Sequence, residues 1–273
     1  MIIGRTYNQS LAKMEKNYYK DQWQIFLNSL KLKKNILYVI LLDLLCICAT
    51  FVLSLFYSLA TSKIAASLQN LDLANIAAMG AEGLEQYAAL KGAMYLFLIY
   101  SAILFILILL AYSLFQGLIW NTVLKKRFTW KYFGKFSLLN LIWVLAWLII
   151  SILLLFILKD AVIILVILTY VLLFVMFYLT TILYVMFTKK RKMWQSIKDT
   201  FNIGKRVHLF ILPYLLVLGL FIVLNLVLII FSLLPQQIYM FINLIILLAF
   251  FAWFRFYISD VIMKVGKKFK YVK

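Results

Sequence analysis

Few side chains in this sequence can do acid–base or nucleophilic chemistry. Its 273 residues hold one histidine, two cysteines and nine acidic residues. His208 stands beside Arg206 at the edge of an apolar run, which suits an interfacial imidazole better than a general base with an orienting partner. Cys46 and Cys48 are two apart in an apolar segment. On a helix they point about 200° from each other, so a mutual disulfide is excluded and they read as small apolar residues. Glu82 and Glu85 are one helical turn apart, but two carboxylates without further ligands make a weak cation site, and a solvated helix face is the better reading. The chain has no H-E-x-x-H, G-x-S-x-G, P-loop or Cys/His cluster. Neither metal nor cofactor is expected, and the sequence reads as non-enzymatic.

Two charges interrupt long apolar runs, Asp43 and Arg255. A charge at bilayer depth costs about 2.5–3.5 kcal/mol on insertion scales, so each needs a reason to be there. Asp43 falls about two turns into the first run and Arg255 about one turn from the end of the last, at similar depth. A direct pair forms if the first and last helices are neighbours. The functional reading is a gate or a proton-linked carboxylate. The structural one, an interhelical pin or an Arg255 that snorkels to the headgroups, is favoured. Gln116, Asn121, Asn140, Asn225 and Asn243 are scattered singly over the other runs, a pattern that serves interhelical hydrogen bonding worth about 0.6–2 kcal/mol each. Tyr112, Gln116 and Asn121 fall near one face and outline a shallow cavity. No run carries the dense polar stripe of an aqueous pore.

The elements that position these residues follow from composition. The chain is 66% hydrophobic and 14% charged, with a mean hydropathy of +1.02. A water-soluble fold of this size cannot bury that much apolar surface. The fold class is therefore all-α, a polytopic integral membrane protein. A bilayer core about 30 Å thick takes roughly 20 apolar residues per helix, and six stretches qualify: Ile36–Leu59, Ala93–Leu124, Ser137–Leu158, Ala161–Thr188, His208–Ser232 and Ile238–Ser259. Residues 35–259 form the membrane domain, between an amphipathic leader (1–34) and a basic tail (260–273).

Net charge is +19, and its placement sets the orientation. All Lys and Arg residues except Lys63, Lys91, Lys159 and Arg255 lie in the leader, the second and fourth connections and the tail. The positive-inside rule puts both termini in the cytoplasm of a cell whose plasma membrane the chain spans six times, as three hairpins. The tightest join, at Lys159–Asp160, is short for a helix hairpin. Reading it as continuous helix would place the Lys189–Arg206 cluster outside. The first apolar run begins only after a long charged lead, so it is expected to act as its own insertion signal rather than a cleaved one.

The basic segments carry an internal repeat. Trp120–Trp130 and Tyr184–Trp194 align without a gap, bringing Lys125-Lys126-Arg127 onto Lys189-Lys190-Arg191 and Trp130 onto Trp194. In the leader, Trp23, Phe26, Leu27 and Leu30 follow helical spacing ahead of Lys33 and Lys34. Each hairpin is thus expected to open with an amphipathic helix at the cytoplasmic surface, where Trp prefers the headgroup layer and Lys attracts anionic lipid. Trp194, Ile197 and Phe201 make the apolar face of one such helix, with Gln195, Lys198, Asp199, Asn202 and Lys205 turned away. The external connection Ala60–Gly92 reads as one or two surface helices that Gly80 and Gly83 can break.

The residues Phe26, Ser29, Lys33, Lys34 and Asn35 ahead of the first run, followed by the repeated hairpins, resemble prokaryotic six-span membrane families such as the membrane domain of glycerophosphodiester phosphodiesterases. The likeness lies in layout and brings no activity, since no hydrolase domain accompanies it. Six spans with cytoplasmic ends also look similar to permease subunits of ATP-driven exporters. Two functions compete: an accessory or scaffold protein that interacts with anionic membrane lipid, and a permease that works with a separate ATPase docked on Phe128–Lys135 or Lys192–Arg206. A lipid-modifying enzyme lacks an evident acid or nucleophile. Nucleic acid is not an expected partner, because basic patches beside spans more often meet lipid.

Overall fold

The computed structural model describes residues 20–31, 33–69, 80–159 and 161–268. Among them every regular element is helical: α1 (residues 20–29), α2 (Ile36–Gln69), α3 (Gly80–Val123), α4 (Trp130–Ile157), α5 (Val162–Lys190), α6 (Met193–Gly204), α7 (His208–Phe231) and α8 (Gln236–Lys268). Six of these, all but α1 and α6, are long and apolar enough to cross a membrane. Each overlaps one of the six apolar runs.

Local chemistry sets the helix ends. Helix α3 closes with Lys125 in the left-handed conformation (φ 52°), which turns the Lys126 N–H onto the Asn121 carbonyl at 2.7 Å and the Lys125 N–H onto Thr122 at 3.2 Å. That is a Schellman closure built on Lys instead of Gly. Helix α4 starts at the N-cap Thr129, whose hydroxyl accepts the Tyr132 N–H at 3.2 Å and satisfies one orphan donor. Helix α5 ends at Arg191, again left-handed (φ 57°), with its N–H on the Phe187 carbonyl.

Three extents differ from the sequence expectation. Helix α4 begins at Trp130, so the expected amphipathic piece before the third span is its first turns and not a separate helix. Helix α8 runs to Lys268, which makes residues 260–268 of the expected tail part of the last helix. In the Ala60–Gly92 connection α2 extends to Gln69 and α3 begins at Gly80, with Gly83 inside it. Residues 70–79 of that connection lie outside the described residues, as do Asp160 and the leader before Lys20.

The chain packs as two compact units. Leu44–Gln116 form one, the longer part of α2 and the first part of α3. Inside it the Tyr57 hydroxyl hydrogen-bonds Ser101 Oγ at 2.9 Å, and the Tyr57 ring lies 6.2 Å from Phe97. The rest of the described chain forms the other unit, centred on α5, which contacts α4, α6 and α8, while α7 contacts α8. Its core is aromatic: Phe136 lies 5.0 Å from Tyr184 and 5.7 Å from Phe187, and Tyr132 stacks on Phe136 at 5.5 Å. Such pairs add about 0.5–1.5 kcal/mol each beyond burial.

Candidate functional site

In the larger unit, the charged and polar side chains gather where the Lys- and Arg-rich segments meet, here termed the basic end. One group of them joins the leader to the last helix. Val39, Leu42 and Asp43 share the buried face of α2's first two turns. There Arg255 Nη1 donates to Asp43 Oδ2, with the two side chains 16% and 9% exposed. Further along α8, Lys33 Nζ sits 2.7 Å from Asp260 Oδ2 and 5.1 Å over the Phe256 ring. Beyond it, Lys264 pairs with Asp21 at 2.7 Å. The three pairs form an antiparallel series: positions 43, 33 and 21 of the leading segment meet 255, 260 and 264 of α8. Phe26 closes the series with apolar contact, edge-on to Trp253 and Tyr257 at 5.9 and 5.7 Å. The Trp253 indole donates to the Ser29 carbonyl at 3.1 Å.

A second group joins the two Lys-Lys-Arg runs. Arg191 Nη2 donates to the Arg127 carbonyl at 2.5 Å and approaches Asn121 Oδ1 at 3.4 Å. Its guanidinium lies 5.4 Å over the Tyr132 ring, within cation–π reach. Tyr132 in turn hydrogen-bonds Thr188 at 2.8 Å, and Asn121 donates back to Gly117 within α3 at 2.7 Å. The Arg191 guanidinium thus ties the segment that follows α3 to the end of α5.

Helix α6 is fixed beside this group. Lys190 Nζ meets Asp199 Oδ2 at 2.5 Å, with both side chains largely buried. Tyr178 donates to the Gly204 carbonyl at 3.1 Å. A Cβ on Gly204 would come within 2.6 Å of Leu179 Cδ2, so a larger residue there has to displace that side chain. This corrects the expected place of Asp199, which is buried and not turned away on α6. Ser196, Asp199, Thr200, Ile203 and Gly204 are its buried side, and Trp194 and Phe201 are exposed. Asp199 turns inward because Lys190 offers a partner in a region that would otherwise leave a buried cation uncompensated.

The other expected residues fall out variously. Asn140 and Gln116 are buried. Asn225 donates to Phe221 of its own helix at 2.8 Å and bridges nothing through that bond. Asn243 is half-buried. His208 opens α7 as an exposed residue. Lys34, Lys125, Lys126 and Arg127 are exposed, and Lys189 is half-buried. Trp23, Trp130 and Trp194 are 50%, 76% and 70% exposed. The sequence reading missed Asp21, Asp260 and the Lys190–Asp199 pair. The available signal was that each of these acids is set inside an otherwise basic segment. Comparison of the chain with known protein families, curated proteins and solved structures finds no match.

Proposed function

We propose that this chain is a non-enzymatic multi-pass protein of the plasma membrane, with both termini cytoplasmic, that acts as an accessory or scaffold and holds anionic lipid at its basic end. The observation that carries this reading is the exposure of Trp23, Trp130 and Trp194 near the starts of α1, α4 and α6. An indole left outside a core that buries so many other rings suits the headgroup layer. Trp194 and Phe201 on the outer side of α6 extend that apolar contact surface, and the neighbouring Lys126, Arg127 and Lys198 attract anionic headgroups at about 1 kcal/mol per residue. Three hairpins, each opening with such a segment, make one basic face, a layout in keeping with the six-span families the sequence resembles.

The test is mild extraction from the protein's own membrane, followed by mass spectrometry of what accompanies it. Anionic lipid retained without a protein partner supports the proposal. A stoichiometric ATPase moves the assignment to a permease subunit. That second reading is favoured by α6 alone, a short helix between two spans that presents exposed Trp194 and Lys198 as a dock. A permease stimulates its ATPase's turnover, and a scaffold leaves it unchanged.

A further inference from the structure

Resting on the lipid-binding reading, we infer that the groove between α5, α7 and α8 holds one acyl chain of an anionic phospholipid, with the phosphate at the start of α7. The groove has a volume of about 590 Å³ and runs from Val207 and Phe210 past Tyr214 to Phe221, with Phe177 and Phe254 along its floor. At a rise of about 1.5 Å per residue, Val207 to Phe221 spans roughly 21 Å. That length covers one leaflet of hydrocarbon, about 15 Å, and the boundary above it. The groove's lining is apolar along that whole length, as a hydrocarbon chain requires. The groove therefore suits a hydrocarbon chain laid along the helices and open to the bilayer.

The floor is also built in advance. Phe177 stacks on Phe254 at 5.6 Å, Tyr178 meets Phe210 edge-on at 5.4 Å, and Tyr214 lies 6.2 Å from Phe254. Interlocked rings give a fixed surface, unlike isolated aliphatic side chains that conform to passing lipid. Charge selects the headgroup. Val207 lines the groove's basic-end mouth, and the residues flanking it in the chain are Lys205, Arg206 and His208. The phosphodiester of an anionic phospholipid brings a net negative charge that guanidinium and ammonium groups attract, whereas in phosphatidylcholine the choline cation offsets the same phosphate.

The experiment uses the whole protein in phosphatidylcholine vesicles doped with a few mole per cent of phosphatidylglycerol that carries a diazirine on its acyl chain. Irradiation is followed by mass-spectrometric mapping of the adducts. Adducts are expected to concentrate on Tyr214 and Leu218 over Ile149 and Ile163, apolar surface residues outside the groove. Two basic residues at about 1 kcal/mol each predict roughly 30-fold preference over the same probe on phosphatidylcholine. Leu218→Trp, at a surface position, narrows the groove and should remove the Tyr214 adduct while sparing that on Ile163. Lys205→Gln with Arg206→Gln should bring the two probes level. Even labelling of groove and outer surface overturns the inference, leaving only annular lipid. Equal groove labelling by both probes in the unaltered protein overturns the choice of headgroup. A groove shielded from both probes and cross-linked to another chain overturns it in favour of a protein occupant. If Leu218→Trp leaves the Tyr214 adduct unchanged while the protein still extracts with anionic lipid, the groove assignment fails and the lipid-binding reading stands.

Discussion

Arg191 reaches back 64 residues to the backbone carbonyl of Arg127, the residue that holds its own place in the other Lys-Lys-Arg run. A second pair of equivalent positions also touches, the rings of Trp120 and Tyr184 at 6.1 Å. Two contacts between like positions mean that α3 and α5 end side by side at the same height. This is the relation expected of a parallel repeat, not an inverted one. The bond is one-sided, and that makes it testable. Arg191→Ala loses the tie to Arg127, the approach to Asn121 and the contact with Tyr132, about 2–3 kcal/mol together. Arg127→Ala keeps its carbonyl and should cost under about 0.5 kcal/mol. Thermal unfolding of both variants in one detergent decides the point, and equal losses would refute the one-sided role.

The Asp43–Arg255 pair should behave as a structural pin. Asp43→Asn strands a largely buried guanidinium and is expected to cost about 3 kcal/mol. Adding Arg255→Gln should recover part of that loss, because the two neutral amides no longer leave a charge uncompensated. A double-mutant cycle measures the coupling. Strictly additive losses would show that the pair does not act as one.

Helix α6 is expected to loosen without unfolding the spans when its inner side is disturbed. Asp199→Asn removes Lys190's partner, and Gly204→Val forces Leu179 and Tyr178 aside. Hydrogen exchange of Met193–Gly204 should rise about tenfold or more in either variant, as a local opening would produce. Exchange in the buried part of α5 should stay as it was. An unchanged α6 would place its support elsewhere.

Orientation has its own check. With Cys46 and Cys48 replaced, single cysteines at Gly80 and Thr129 should label from opposite sides of the membrane. Thr129→Cys also gives up the N-cap of α4, worth about 1 kcal/mol, so Lys126→Cys serves as its control. Labelling of Gly80 and Lys126 from one side would overturn the six-span topology.

The six spans were readable because span length is a sum over neighbours, and the sequence supplies every addend. The Asp43–Arg255 pair was suggested by depth, since two costly charges at one level are cheapest together, but that α2 and α8 are neighbours was not in the sequence. Helix extents beyond the apolar runs were not readable. Residues 260–268 continue α8 beside Asp21 and Lys33, partners more than 220 positions away that no local window contains. The inward turn of Asp199 was hidden for a related reason. Periodicity ranks side chains by polarity, whereas Lys190 and the bare backbone of Gly204 made the small polar side of α6 the one that fits against α5.

One property of the larger unit bears on its behaviour in a living bilayer. Its buried side chains crowd toward the basic end, in Tyr132–Trp143 of α4, residues 178–188 of α5 and residues 248–266 of α8, while Ile149–Ile157, residues 162–171 and, but for Leu228, residues 226–230 lie mostly exposed. The two leaflets therefore meet unlike neighbours, a stiff mosaic of rings and ion pairs on one side and loosely joined apolar rods on the other. Thickening or fluidising the far leaflet alters the spacing of those rods with few protein contacts to break. Lipid on that side occupies the places that side chains of the protein fill at the basic end.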